Sequence, residues 1–186
     1  KGVQAGLSRT FQTMINQDFL EKVEPYDKWR SIVFALCFMH SVIQERRKFG
    51  PLGFCIPYAF NFADLEASLT FIDKHMTTSF NLNIPMSWKA IQYMVSDVQY
   101  GGKITDGLDR EMFGCYTQFW IQEQIFTPNY CFNQLITEFN YHIPDAQEHS
   151  KFLEYINKMP SNDGPPIFGL HPNADLTFRL KESVNM

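Results

Sequence analysis

A mainly α-helical bundle of about six or seven helices is what this sequence predicts, on three observations. Ten prolines punctuate the 186 residues and leave long proline-free stretches between them. Within those stretches apolar residues recur at spacings of three and four, the period of a helix with one buried face. The hydrophobic fraction of 45%, with 18 Phe, 8 Tyr and 3 Trp, supplies a substantial core and argues against disorder. The length suits a single domain over 1–186, or one compact piece of a larger protein.

The first helix is expected over 3–23, with Leu7, Phe11, Met14 or Ile15 and Phe19 or Leu20 near helical spacing, ended by Pro25. The second, over 26–48, has Trp29, Ile32, Val33, Leu36, His40 and Ile43 as its inner stripe. Apolar residues nearly surround its middle, so it should be central and contacted from several sides. At its end stand Glu45, Arg46, Arg47 and Lys48, then "FGPLG". Cations suit the C-terminal dipole, Gly50 can take a left-handed cap, and Pro51 blocks continuation. The connector through Gly53 to "FCIPYAFN" is too apolar for a loose linker.

Asn61 is the expected N-cap of a third helix carrying Leu65, Leu69, Ile72 and Met76. Ser87 caps a fourth with Ile91, Met94 or Val95, and Val98. Gly101 and Gly102 mark a turn-rich joint, and Asp106 or Asp109 starts a fifth helix reaching Phe126. Residues 127–144 read as a short hairpin or irregular chain. A sixth helix is expected over 149–159, and a seventh from near Asp175, after a turn organised by His171 and Asn173.

Composition narrows the function. A formal charge of −4 and a pI near 5.7 remove the broad basic surface of a nucleic-acid binder. No apolar run approaches the roughly 18–20 residues that cross a bilayer. The opening "KGVQAGLSRTF" lacks Met and an apolar signal region, and reads as a boundary within a longer chain. Four isolated cysteines, with no C-x-x-C pair, fit reduced thiols in an intracellular protein.

Catalytic and cofactor motifs are weak. "GGKIT" fails as a phosphate loop, because Asp97 stands where the first glycine belongs and Ile104 where the magnesium-binding hydroxyl belongs. The five histidines form no H-E-x-x-H pair, and neither a G-x-S-x-G elbow nor a Cys-His signature occurs. Hence no catalytic, cofactor-binding or metal residue is assigned. The Glu45–Lys48 cluster stands open between a solvated, capped helix end and an arginine reaching another element. Helical spacing puts Arg47 on the buried stripe and turns Lys48 outward.

The blocks "QERRKFGPLGFCIPYAFNFADLEAS", "VQYGGKITDGLDR" and "MPSNDGPPIFGLHPNADLTF" resemble dynein heavy chains, in the helical lid region of the sixth AAA+ module leading toward the C-terminal region. "GVQAGLSRTF" resembles the usual start of that segment, so the likeness covers essentially the whole chain. The wording is most similar to axonemal, outer-arm-type chains. Phe54-Cys55 stands where the family often has Trp-Asn, and Ala59 where it often has an acid.

The resemblance implies a non-catalytic piece of a microtubule motor. In such a motor a ring of six AAA+ modules converts ATP hydrolysis into linker movement in the ciliary or flagellar axoneme, part of the cytoskeleton of the cytoplasm. ATP and magnesium would bind in other modules. The implied partners are neighbouring AAA+ modules and the C-terminal region of the same heavy chain, with microtubules and other dynein subunits as partners of the whole motor. On this reading Glu45, Arg46, Arg47 and Lys48 present charge to a neighbouring ring element. The rival readings are an independent helical adaptor and, third, a hydrolase.

Overall fold

In the computed structural model, which describes residues 2–128, 130–133 and 139–184, the core is organised around one helix. This is α3, Tyr26–Arg46, whose residues 32–43 are all buried, so neighbours cover it on every side. It contains no glycine or proline after its cap at Pro25. Trp29 is fully buried and donates its indole N–H to the Phe19 carbonyl at 2.7 Å.

Two shorter helices precede it, α1 (Val3–Thr13) and α2 (Gln17–Leu20). The sequence reading had one unbroken helix over 3–23. The break falls at Asn16, whose side chain accepts from the Phe19 N–H at 2.8 Å and starts a new helix. Asparagine competes with the helical ladder in this way and favours caps over interiors. α1 packs between α3 and α7 (His149–Lys158), where Phe11, Phe34 and Phe152 stack with centroids under 6 Å apart.

After α3 a 3-10 turn covers Arg47–Leu52. The third predicted helix is α4 (Phe62–Leu82), with Asn61 and Asp64 forming a reciprocal capping box. α5 (Trp88–Tyr93) is capped by Ser87 and widens into a π-helical turn over Met94–Gln99. α6 (Gly107–Trp120) begins at Asp106, whose side chain accepts from Leu108 and Asp109 N–H groups. It stops short of Phe126, which lies in a separate 3-10 turn, Glu123–Phe126.

Among the described residues of 127–144 there is no strand. One antiparallel bridge joins Cys131 to His142, and the Phe132 N–H donates to the Tyr141 carbonyl at 2.8 Å. The rest of the hairpin expectation, at 129 and 134–138, lies outside the described residues. A 3-10 turn over Pro165–Phe168 leads to α8 (Asn173–Val184). The fold is thus mainly helical: eight α-helices among the described residues, six of them long. The one beyond the seven expected comes from the break that divides the first helix into α1 and the brief α2.

Candidate functional site

The charged cluster sits where α3 tightens into the 3-10 turn. Arg46 is buried at 6% exposure, Arg47 is exposed, and Glu45 and Lys48 are half-buried. This corrects the expectation that Arg47 continues the buried stripe. The middle of α3 is buried all round, so its apolar pattern cannot set the phase of the last turn. Arg46 follows the buried Val42 and Ile43 by four and three residues, and its partners come from distant chain.

Those partners define a hub. Arg46 Nε donates to the Gly53 carbonyl at 2.6 Å, and Nη1 donates to the Tyr116 hydroxyl at 2.6 Å and to the Phe168 carbonyl. Tyr116 in turn donates to the Phe168 carbonyl at 2.6 Å. The guanidinium lies over the Phe54 and Tyr116 rings, 5.9 and 5.6 Å from their centroids. Carbonyl dipoles and aromatic faces stabilise the buried charge. Burial pushes the Tyr116 hydroxyl up to about 12, with the Arg46 charge and hydrogen bond opposing. Lys48 lies over the Phe49 and Phe168 rings at 5.0 and 4.8 Å.

The glycines serve this geometry unequally. A Cβ on Gly53 would come within 2.1 Å of the Arg46 carbonyl oxygen, so only glycine permits that approach. Gly50 has φ 57° and ψ −133°, a kink inside the 3-10 turn in place of a left-handed cap. Its carbonyl accepts from Gly53 and Phe54, and Pro51 lies in this turn, beyond the end of α3 at Arg46. Proline fits there because it follows the kink and its missing N–H leaves these bonds intact.

A second cluster anchors the connector to α6. Asp109, buried, accepts from the Cys55 N–H at 2.9 Å, the Ile56 N–H at 3.3 Å and the Tyr58 hydroxyl at 3.0 Å. The Asp106 N–H donates to the Tyr58 hydroxyl at 3.1 Å. The ligand atoms of Cys55, Asp106 and Asp109 lie within 4.8 Å of one another, the only such group among the described residues. Desolvation first, then hydrogen bonding and charge from the two aspartates, holds the Cys55 thiol above its ordinary value. Both Asp109 oxygens already accept protein donors. The arrangement works as a loop anchor.

Around "GGKIT" a π-helical turn precedes Gly101, where a phosphate loop needs a strand. A Cβ on Gly101 would lie 1.9 Å from the Ser96 carbonyl oxygen, whereas one on Gly102 would meet open space. Lys103 is engaged by the buried Asp64 at 2.7 Å and by the Ala59 carbonyl at 3.3 Å. Beside this pair, the fully buried His40 shares a 2.8 Å hydrogen bond with Tyr100 through Nδ1, and Nε2 has no partner among the described residues. Burial holds His40 down at about 4, with Asp64 opposing. At the start of α8, exposed His171 accepts from the Asn173 N–H at 3.2 Å through Nδ1, and its carbonyl accepts from Ala174 at 2.9 Å.

Sequence reasoning missed Tyr116, Asp109 and Asp163 as tethers. Asp163 accepts from the Val3 N–H at 2.7 Å and the Tyr141 hydroxyl at 2.9 Å, clamping the start of α1 to the far end of the chain. Tyr116 carried a signal, since a tyrosine on an inner stripe must find a partner for its hydroxyl. The aspartates carried none beyond position beside a turn.

Helices pinned by buried tethers between remote segments define a mainly helical domain. The comparisons agree and specify it. The family model described as "Dynein heavy chain AAA lid domain" matches residues 29–174. The chain is 43% identical over 179 residues to Dynein axonemal heavy chain 8 of Homo sapiens, covering 96% of this chain and 4% of that protein. It is 40% identical over 181 residues to Dynein axonemal heavy chain 5 of Mus musculus, covering 97% and 4%. Identity is 38% over 190 residues to the Dynein gamma chain, flagellar outer arm, of Chlamydomonas reinhardtii, covering 98% and 4%. The chain belongs to the dynein heavy chain AAA lid family, and it spans about 4% of the length of these relatives.

Proposed function

We propose that residues 1–186 form one lid domain in the motor ring of an axonemal dynein heavy chain. It performs no chemistry and carries conformational change between ring modules during ATP-driven, microtubule-based movement in cilia or flagella. ATP and magnesium bind elsewhere in the heavy chain, and the partners of this segment are neighbouring AAA+ modules and the C-terminal region. The observation that supports this most is the Arg46 hub. One buried guanidinium ties the end of α3, the 53–54 connector, α6 and the 165–168 turn. Elements tied this way move together, as a rigid-body relay requires.

Within that reading the roles of the cluster divide. Arg46 is an internal strut, and Arg47, exposed one residue later, is the charge offered to a neighbouring ring element, with Glu45 and Lys48 beside it. The test is Arg47→Ala in the full-length heavy chain, read by microtubule-stimulated ATPase and gliding velocity. Impaired gliding with an unchanged melting temperature is expected. Normal motility would remove the interface role of the cluster.

A further inference from the structure

The outer face of α6 carries a largely exposed apolar stripe among the described residues. Leu108, Met112, Cys115 and Phe119 follow one another at spacings of four, three and four, which aligns them on one side of the helix. Leu108 is 70% and Phe119 63% exposed, and Cys115 is also exposed. The inward side of the same helix buries Phe113, Tyr116 and Trp120, and Met112 is half-buried against the core, while Leu108, Cys115 and Phe119 stand outside it. A 4-3-4 apolar stripe is the pattern with which one helix receives another.

At its C-terminal half the stripe borders a cleft of about 460 Å³, lined by Met112, Cys115 and Phe119 together with Tyr116, Trp120 and Arg46. The guanidinium lines this cleft, and among the described residues it forms no ion pair with an acid. Nε and Nη1 are engaged by carbonyls and a hydroxyl, while Nη2 makes no hydrogen bond among the described residues. A carboxylate is the group that best complements such a donor.

We propose that the α6 outer face and the Arg46 cleft form one docking surface for an amphipathic helix bearing an aspartate or glutamate, supplied by another part of the same heavy chain. Apolar residues of that helix cover Leu108, Met112 and Phe119, and its carboxylate accepts from Arg46 Nη2. Most of the heavy chain lies outside this segment, since the segment spans about 4% of its relatives. This surface is separate from the Arg47 surface and does not depend on conformational relay.

Cys115 is a built-in reporter. In the intact heavy chain, N-ethylmaleimide should label Cys115 at least ~10-fold more slowly than in the Phe119→Glu variant, the equivalent of a loss of about 1.4 kcal/mol of docking. Phe119 is mostly exposed, so the variant should keep the parent's melting temperature. A photocrosslinker at position 119 should join a helix of the same polypeptide that carries a carboxylate within one turn. Converting that carboxylate to its amide should accelerate Cys115 labelling toward the Phe119→Glu rate. Equal labelling in parent and variant overturns the proposal. So does a crosslink to a second heavy chain, to another polypeptide or to a segment without a carboxylate, or an amide substitution without effect.

Discussion

Replacing Arg46 with alanine tests the hub directly. Three hydrogen bonds disappear, to Gly53, Tyr116 and Phe168. The Phe168 carbonyl keeps the Tyr116 hydroxyl as donor, so the Gly53 carbonyl bears the largest loss. Bonds from a charged donor contribute roughly 1.5–3 kcal/mol each, and the two ring contacts add about 0.5–2 kcal/mol. Against these stands the desolvation of the guanidinium, several kcal/mol in its own right. The difference leaves a net loss of roughly 2–4 kcal/mol. Urea unfolding reads this as a midpoint lowered by about 1–2 M, for a slope of order 1–3 kcal/mol/M. Arg47→Ala, one residue on and exposed, should stay within ~0.5 kcal/mol of the parent. An unchanged midpoint for Arg46→Ala would mean that desolvation cancels the hub. Equal losses at the two arginines would refute the assignment of strut and surface charge.

Trp29→Ala should destabilise by roughly 3–5 kcal/mol, because the ring is fully buried and its N–H is bonded; a denaturant midpoint close to the parent's would contradict this. His40 yields a pH dependence. Its folded value, about 4, lies below the ordinary value of 6.5, so the unfolded chain takes up the proton first as pH falls. This contribution is present in full above about pH 6.5 and lost progressively toward pH 4, a change on the order of 3 kcal/mol. Unfolding curves of the parent and His40→Phe should diverge in slope across that window, and parallel pH profiles would exclude His40 as the source. Gly53→Ala should cost at least ~2 kcal/mol through the clash with the Arg46 carbonyl, while Gly102→Ala, facing open space, should stay within ~0.5 kcal/mol; melting temperatures of the two variants decide it. Calorimetric titration of the chain with Mg-ATP should show no saturable one-site binding, since Lys103 is held by Asp64 and no phosphate-loop geometry surrounds it.

Much of the chemistry that acts within a few residues was legible. The caps at Asn61, Ser87 and Asp106 stand where the sequence places them, because a cap is a bond between a side chain and the N–H two or three residues on. The central position of α3 was legible as well, since an unbroken apolar run has no polar face to give to water. The break at Asn16 was locally encoded yet hidden beneath apolar spacing that continued through it.

What the sequence by itself determined is therefore the helical class, the order of the helices, most of their starts and, through its motif blocks, the family. What only the tertiary structure decided is the use of the charges at the end of α3. Arg46 and Arg47 are chemically identical neighbours, and local pattern could not choose between them. The choice was made by Tyr116, 70 residues away, and Phe168, 122 residues away, whose acceptors converge on one side of the helix end. The acceptors that hold a buried cation in its favourable geometry were brought there by packing, and sequence spacing carries no record of that convergence.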